Sequence, residues 1–564
     1  MQGGSQDILE VEWQFDADDL DAVEGWLAED HLDSGLAVSS ASTKELRDTY
    51  YDTEDWRFYR AGYVLRVRRD GKRVEATMKA LAPAEDGVRR RREISESLRS
   101  GGMKTLRRAR GPVGEHLRSL AGAKDLRPLF QIQTRRRVFD LCPAGESAGE
   151  SSGEVVVDPT GDIRIKEDDA ARAEEVVVDA LGGIRRRESG PVAGEVALDE
   201  VEVSANGESA RLSRVEIEVG PDEGGDQVEE FVGRLRGSSL GLEPTGSSKF
   251  GMGLAVAGLQ PAEAPDLGST EVDASMSAGE VAFAVLRRHF SAVIVHEPGV
   301  RLGEDPEELH DMRVATRRLR ATLKLYSDFL PKRAGRFERD FKWVADHLGD
   351  VRDLDVHLEH ISGEALEEVS AVLEERRGEA RRRMMEALDS ARYERLISGF
   401  SGMVRRGRSP EEPPPILRAA PDLLGRRYKK VRKAVKRLEA GSPSEEFHDL
   451  RKKGKRLRYA VEPLRGIYGK PAEKMVDLLK ETQDDLGGLQ DLVVFAALMR
   501  EVAVSGDLPP QTVFSMGSFA GRYARDAARR REDLPEAKSL VNLSRRWKKL
   551  RKEMEKRAEQ KARD

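Results

Sequence analysis

Carboxylates recur at every second position in two segments of this chain. Glu10 and Glu12 do so in ILEVEWQF, with Gln14 next in line, and Glu216 and Glu218 do so in RLSRVEIEV. Arg66 and Arg68 repeat the spacing with positive charge in YVLRVRR, where Leu65 and Val67 take the alternate positions. Period two is the strand signature, so each set shares one face of a strand. One arrangement is an antiparallel sheet that turns these charges out to water. The other is a closed barrel with a charged lumen. Buried charges are tolerable there only when they pair or hold ions. A lumen with arginines on some walls and paired carboxylates on others would bind a metal–polyanion complex.

A second set of charges follows a helical period. EELHDMRVATRRLR begins at Glu307 and EEFHDLRKKGKRLR at Glu445. His310, Arg313, Arg317 and Arg320 fall within an arc of roughly 80° on a helical wheel. Met312, Leu319 and Leu323 form an apolar stripe about a third of a turn away. The second copy repeats this with His448, Arg451, Lys455 and Arg458 against Leu450, Leu457 and Val461. RRYKKVRKAVKR adds a basic helix without acids, in which Arg426, Lys430, Lys433 and Arg437 make the charged stripe. Such ridges are either solvated helix faces or polyanion-binding surfaces. The second ridge, taken with 426–437, lacks the acids that i,i+4 pairing would supply, which favours the polyanion. His310 and His448 either cap the ridges structurally or touch phosphate directly. No second ligand recurs at helical spacing to make them a metal site. HLGDVRDLDV and DLGGLQDLVV align Asp353 with Asp491, and each acid is read as orienting a ridge arginine.

The elements that must position these residues divide the chain in two. Its 564 residues suggest several domains. Charged residues make up 35% against 38% hydrophobic, and mean hydropathy is -0.58, which argues against one large apolar core. A net charge of -6 hides local basic and acidic segregation. The single Cys142 excludes an internal disulfide framework and a multi-cysteine zinc site. The absence of a long apolar run and of a signal-peptide pattern makes a soluble cytoplasmic protein without a membrane partner the default expectation. Residues 6–256 read as strands, with short helices near 18–29 and 103–121. A Gly-, Glu- and Ser-rich insertion at 143–195 is expected to carry a hairpin. A linker is expected at 257–273 and a helical domain at 274–555. Its signatures repeat at one offset, so two copies are expected, about 277–400 and 416–540, each a bundle of about four helices. The fold class is therefore α+β and multidomain: an antiparallel β-barrel, then an all-α duplicated bundle.

The N-terminal half resembles the CYTH domain, the triphosphate-tunnel fold of class IV adenylate cyclases and of thiamine or inorganic triphosphatases. Glu10-Val-Glu12-Trp-Gln14 stands where that family has ExExK, with Gln14 in place of the lysine. TYYDTEDWRFYRAGYVLRVRR, TMK with Lys79, RREI with Glu93, TRR with Arg136, ALDEVEV with Asp199, VEIEV and SSKF with Lys249 follow in family order. The helical half resembles the CHAD domain, and HDMRVATRRLR and HDLRKKGKRLR are its two signatures. The resemblance implies a catalytic set of Glu10, Glu12, Lys79 and Glu93. It implies metal ligands Glu10, Glu12, Asp199, Glu216 and Glu218 for Mg²⁺ or Mn²⁺. Arg66, Arg68, Lys79, Arg136 and Lys249 would grip the phosphates. The helical ridges would bind inorganic polyphosphate, which places the protein with polyphosphate granules. Loss of the family lysine can cost orders of magnitude in rate, so a slow hydrolase and a polyphosphate receptor both remain open. A nucleic-acid-binding helical module is a third reading. Aromatics form only 5% of the chain, and none interleave the ridges as base-stacking platforms would.

Overall fold

The computed structural model describes residues 5–29, 35–85, 87–143, 192–220, 225–261, 266–361, 366–410, 412–439, 441–505, 508–534 and 538–563, with short strand fragments between 156 and 186. The chain folds as two units, Met1–Glu263 and Ala264–Asp564.

Eight antiparallel strands close the first unit into a barrel. They are β1 (Ser5–Asp16), β2 (Leu36–Thr53), β3 (Tyr63–Asp70), β4 (Arg73–Ala80), β5 (Val88–Leu98), β6 (Leu126–Pro143), β7 (Gly194–Ala205) and β8 (Glu208–Val219). The hydrogen-bonded order is β8-β7-β6-β2-β3-β4-β5-β1, and β1 pairs back to β8. That closing ladder sets Glu12 opposite Glu218 and Gln14 opposite Glu216. On its other side β1 sets Glu10 opposite Arg91 and Glu12 opposite Arg89. Side chains alternate across a strand, so one face of β1 carries Glu10, Glu12 and Gln14 while the other carries Trp13 and Phe15.

The barrel inverts the usual arrangement. Its apolar face points outward, where Trp13, Phe15, Val196, Leu198, Val215 and Ile217 join the cores of helices α1 (Leu20–Leu27) and α3 (Gly225–Gly237). Its charged face points inward. Helix α2 (Pro112–Ala121) supplies buried Val113, Leu117 and Leu120. The turn between β2 and β3 is clamped by Asp52, whose carboxylate accepts backbone N–H groups from Thr53, Phe58 and Tyr59. This accounts for much of the DTEDWRFY segment: it sets the register that delivers Arg66 and Arg68 inward. The insertion lies largely outside the described residues. Two short antiparallel ladders are described in it, Val156–Val157 with Ile163–Arg164 and Val176–Val178 with Ile184–Arg186.

Helix α4 (Lys249–Val256) brings Lys249 into the barrel, where tight packing leaves the helix little freedom. Ser248 caps it by accepting the Gly251 N–H at 3.0 Å. Gly253 lies against Phe130 so closely that a methyl group there would collide with the ring. Phe130 in turn stacks on Tyr50, with Phe250 beside both. Helix propensity alone would make a larger residue at 253 favourable by up to about 1 kcal/mol. Overpacking costs about 1–3 kcal/mol and outweighs it. Gly253→Val is therefore expected to destabilise the barrel by about that amount, measured as a lower urea midpoint at unchanged slope.

The second unit contains two copies of one helical pattern. The first copy is α5 (Ala278–Leu302), α6 (Pro306–Leu325), α7 (Ala334–Ile361), α8 (Glu367–Leu388) and α9 (Ala391–Arg406). The second is α10 (Ile416–Val435), α11 (Ser444–Val461), α12 (Lys470–Ser505), α13 (Pro510–Asp533) and α14 (Lys538–Arg563). In each copy four helices make the bundle, and the fourth in sequence, α8 or α13, lies along the third. One large apolar core runs through both copies, and a second cluster joins Leu373 of α8 to Phe495 of α12 and Met516 of α13. Helix α6 starts at an Asp305 cap that accepts the Glu307 N–H, with Pro306 in its first turn. Part of the expected 257–273 linker packs on this bundle. Leu267 is in the helical core, and Arg405, Arg287 and Arg288 donate to the carbonyls of Asp266, Ser269 and Thr270. The proline-rich segment before α10 pairs with the start of α5 through Ala278 N–H to Pro414 O and Ile416 N–H to Met276 O.

Candidate functional sites: a charged tunnel and a basic cleft

The barrel encloses a cavity of about 340 Å³. Seven cations line it, Arg66, Arg68, Lys79, Arg89, Arg91, Arg136 and Lys249, together with seven carboxylates, Glu10, Glu12, Glu75, Glu93, Glu195, Glu216 and Glu218. Every expected tunnel residue except Asp199 is among the lining groups.

These charges form a connected network. Lys79 Nζ lies 2.5 Å from Glu10 and 2.6 Å from Glu93. Arg91 reaches Glu10 at 2.8 Å and Glu12 at 2.5 Å. Arg136 holds Asp199 with two bonds of 2.8 and 2.7 Å and Glu216 with one of 2.6 Å. Lys249 binds Asp199 and Glu216, the latter at 3.0 Å. Arg68 makes a two-bond contact to Asp48 at 2.9 and 2.8 Å, and Arg66 stands 3.8 Å from the same acid. Burial alone would raise the Glu10 carboxyl, but Lys79 and Arg91 bring it down to about 2. Burial would likewise raise Glu216, yet Lys249 and Arg136 hold it well below the usual range.

Gln14 sits at the centre of this network. Its amide nitrogen donates to Glu12 at 3.0 Å and to Glu216 at 3.1 Å, and its oxygen accepts from Arg89 at 2.8 Å.

Asp199, expected among the metal ligands, lies outside the cavity lining. It has no exposed surface and its two oxygens are taken by Arg136 and Lys249. It holds those two cations from behind the lining. Five groups of the barrel interior were missed by sequence reasoning: Glu75, Glu195, Arg89, Arg91 and Asp48. Arg89 and Arg91 hide in the run RRRR, where only the register against β1 says which arginines point inward. Asp48 faces Arg68 across the β2–β3 ladder.

The carboxylates can be tested against a hard divalent cation. Among the described residues no group of three or more possible ligands stands at metal-holding separation, because Lys79 and Arg91 occupy Glu10 and Glu12. One carboxylate of the wall is nonetheless left without a cation. Glu218 has no hydrogen bond or ion pair among the described residues, and burial together with Glu10, Glu93 and Glu12 pushes its carboxyl up to about 7. Oxygen donors with unrelieved charge fit Mg²⁺ or Mn²⁺ in kind.

The second site lies in the helical unit. A cleft of about 430 Å³ is lined by both ridges, with His310, Arg313 and Arg317 from α6 and His448, Arg451 and Lys455 from α11. Helix α7 adds Arg352, Asp353, His357 and His360, and α12 adds Gln490 and Asp491. Arg313 pairs with Asp353 at 2.6 Å, as the sequence reading expected. Its counterpart Arg451 has no such pair with Asp491 among the described residues. Gly349 and Gly487, the glycines of the repeated Leu-Gly, lie under these two guanidinium groups, and a Cβ at Gly487 would stand 3.1 Å from Arg451. The glycine therefore belongs to the ridge pattern: it lets the arginine lie across the neighbouring helix. Arg317 donates to the Tyr459 hydroxyl at 2.9 Å, and Arg317, Arg318 and Arg458 surround that ring. Donor groups are left over. Among the described residues, Arg451 Nε, Arg458 Nε and His448 Nδ1 are buried without a hydrogen-bond partner.

Two ridge expectations place differently. Arg320 pairs with Glu338 at 3.2 Å and is not part of the cleft lining. Arg426, Lys430 and Lys433 are exposed on α10 and Arg437 is exposed just past its end, all away from the cleft-lining set.

Comparison with known families matches residues 26–239 to the CYTH domain and residues 284–500 to the CHAD domain. The chain carries a CYTH domain followed by a CHAD domain. The CYTH match begins after the β1 acids and ends before Lys249, so these residues join the tunnel through barrel closure. The chain is similar to the crystallised CHAD domain from the plant Ricinus communis, at 28% identity over 49% of this chain and 95% of that one, with a TM-score of 0.43. It is similar to PptA from Streptomyces chartreusis at 19% identity over 46% of this chain and 99% of that one, TM-score 0.37. A putative adenylyl cyclase from Hippeastrum, described as having a dominant triphosphatase activity, aligns at 15% identity over 44% of this chain and 97% of that one, TM-score 0.26. Comparison with curated proteins finds no match. No helix among the described residues is long and apolar enough to cross a membrane.

Proposed function

We propose that the CHAD cleft binds inorganic polyphosphate and that the CYTH tunnel hydrolyses tripolyphosphate or polyphosphate with a divalent cation. The observation that carries the reading is the charge balance of the two sites. Seven cations meet seven carboxylates in the tunnel. A bare polyanion entering would leave uncompensated negative charge in a buried lumen, which is costly. The anion must therefore arrive with cations. The CHAD cleft is different: five cations, Arg313, Arg317, Arg352, Arg451 and Lys455, face only Asp353 and Asp491. It can take a polyanion alone.

Glu10, Glu12, Glu216 and Glu218 would hold Mg²⁺ or Mn²⁺. Such an ion would supply Lewis-acid charge beside the phosphates and lower the pKa of an attacking water. Arg66, Arg68, Arg136 and Lys249 would grip the phosphates and stabilise charge on the transferring group. Asp48 and Asp199, behind them, hold the arginines and the lysine in place.

The test is phosphate release from tripolyphosphate and from long-chain polyphosphate, with Mg²⁺ or Mn²⁺ and with chelator. Metal-dependent release is expected, alongside polyphosphate binding that survives chelation and weakens steeply with salt. Gln14 in place of the family lysine favours a second reading, a polyphosphate receptor without turnover. Chelator-resistant binding with no release under any metal would select it.

A further inference from the structure

The tunnel departs from its family at Gln14, and the structure supplies what stands beside it. Arg89 stands opposite Glu12 on the β1–β5 ladder, diagonal to Gln14, and donates to the Gln14 carboxamide oxygen at 2.8 Å. Arg89 is 3% exposed. Its other terminal nitrogen donates to the Gly246 carbonyl at 2.6 Å. The Gln14 carbonyl accepts the Thr245 N–H at 3.0 Å. Both contacts fall on the segment that leads into α4 and Lys249.

We propose that Gln14 and Arg89 form one positioning unit that replaces the family lysine, aligning Glu12 and Glu216 and fastening the 245–248 segment so that Lys249 enters the lumen. The division of labour follows from donor geometry. A carboxamide offers two N–H donors and an oxygen acceptor. The donors bridge Glu12 to Glu216 and so join the Arg91 side of the network to the Arg136–Lys249 side. The acceptor takes Arg89, which brings a positive charge one residue further back. An ammonium at position 14 has donors only. It would meet the Arg89 guanidinium as a like charge at contact distance, and the low dielectric of the wall makes that repulsion strong. Glutamine at 14 and arginine at 89 are thus a matched pair. Burial, with Arg91 and Arg214 nearby, lowers the Arg89 pKa, which is consistent with a cation already crowded by others.

This inference rests on the tunnel taking tripolyphosphate, and the test separates the two. The full chain would carry Arg313→Gln and Arg451→Gln to silence the CHAD cleft. Metal-dependent tripolyphosphate binding would be measured by calorimetry with Mg²⁺, and exchange of backbone amides in 245–249 by hydrogen–deuterium mass spectrometry. Gln14→Lys is expected to weaken binding about tenfold or more, and adding Arg89→Gln to restore it to within about threefold, the coupling expected of residues in contact. Arg89→Gln alone is expected to speed amide exchange in 245–249. Gln14→Lys binding as well as the parent, or no better binding in the double variant, would overturn the proposal. If the parent itself shows no metal-dependent binding, the tunnel reading fails. The exchange data then decide the pair alone: faster exchange supports the fastening role, and unchanged exchange overturns it.

Discussion

Glu216→Ala is expected to reduce metal-dependent phosphate release by about 10²-fold or more, the scale seen when one preorganised charge is removed from a transition-state site. Glu216 is the acid on which Gln14, Arg136 and Lys249 converge. Its removal leaves Asp199 as the remaining close acidic partner of Lys249 and frees the Gln14 amide from the β8 wall. It also removes one oxygen donor proposed for the metal. Initial rates of phosphate release from tripolyphosphate with Mg²⁺ or Mn²⁺ are the readout. Polyphosphate binding in chelator should stay unchanged, because the CHAD cleft is a separate site. Glu216→Gln separates charge from shape. It keeps an acceptor for the cations but cannot serve as an anionic ligand, so release should fall nearly as far. Release at the parent rate in both variants would remove Glu216 from the chemistry.

The tunnel was legible in the sequence where charge alternates alone. Glu10, Glu12, Glu216 and Glu218 stand out because each acid is flanked by apolar residues, and barrel closure puts all four inside. Arg89 and Arg91 were not legible, since four consecutive arginines erase the alternation and only cross-strand register restores it. Asp48 carries no pattern of its own and acquires its role from facing Arg68. Asp199 shares the period-two logic but sits deeper, where two cations close over it. The helical wheel succeeded for azimuth and failed for neighbours. It put Arg320 on the ridge, but Glu338 on the adjacent helix captures it. The duplication was readable from a constant offset. The reason for its Leu-Gly element was not, because the space needed by Arg313 and Arg451 exists only between packed helices.

Polyphosphate affinity of the CHAD cleft is expected to fall as pH rises above 7, and Lys455 is the group that makes it do so. Burial first, then Arg317, Arg451, Arg458 and Arg313 around it, bring the Lys455 ammonium down to about 7 in the free protein. Its neighbours on α11 also include His448 and Lys452; α6 presents Arg313 and Arg317; α7 presents Arg352, Asp353, His357 and His360; α12 presents Asp491. The two acids are too few to relieve this crowding. A bound polyanion favours the charged amine, so the pKa of Lys455 rises on binding. The sign follows by linkage. Below 7 the amine is already protonated when free, and binding takes up no proton there. Between 7 and the bound-state pKa, binding takes up one proton, so affinity falls by up to about tenfold per pH unit. Burial and Lys452 also lower the His448 imidazole. Lys455→Arg stays charged throughout. It should bind as tightly as the parent at pH 6 and more tightly at pH 8.5, with a flat profile between. Lys455→Met should be weak at both. Dissociation constants for long-chain polyphosphate in chelator, taken from pH 6 to 8.5 at fixed ionic strength, decide this. A parent profile as flat as that of Lys455→Arg would show that the cation cluster leaves Lys455 charged and that the arginines alone carry the anion.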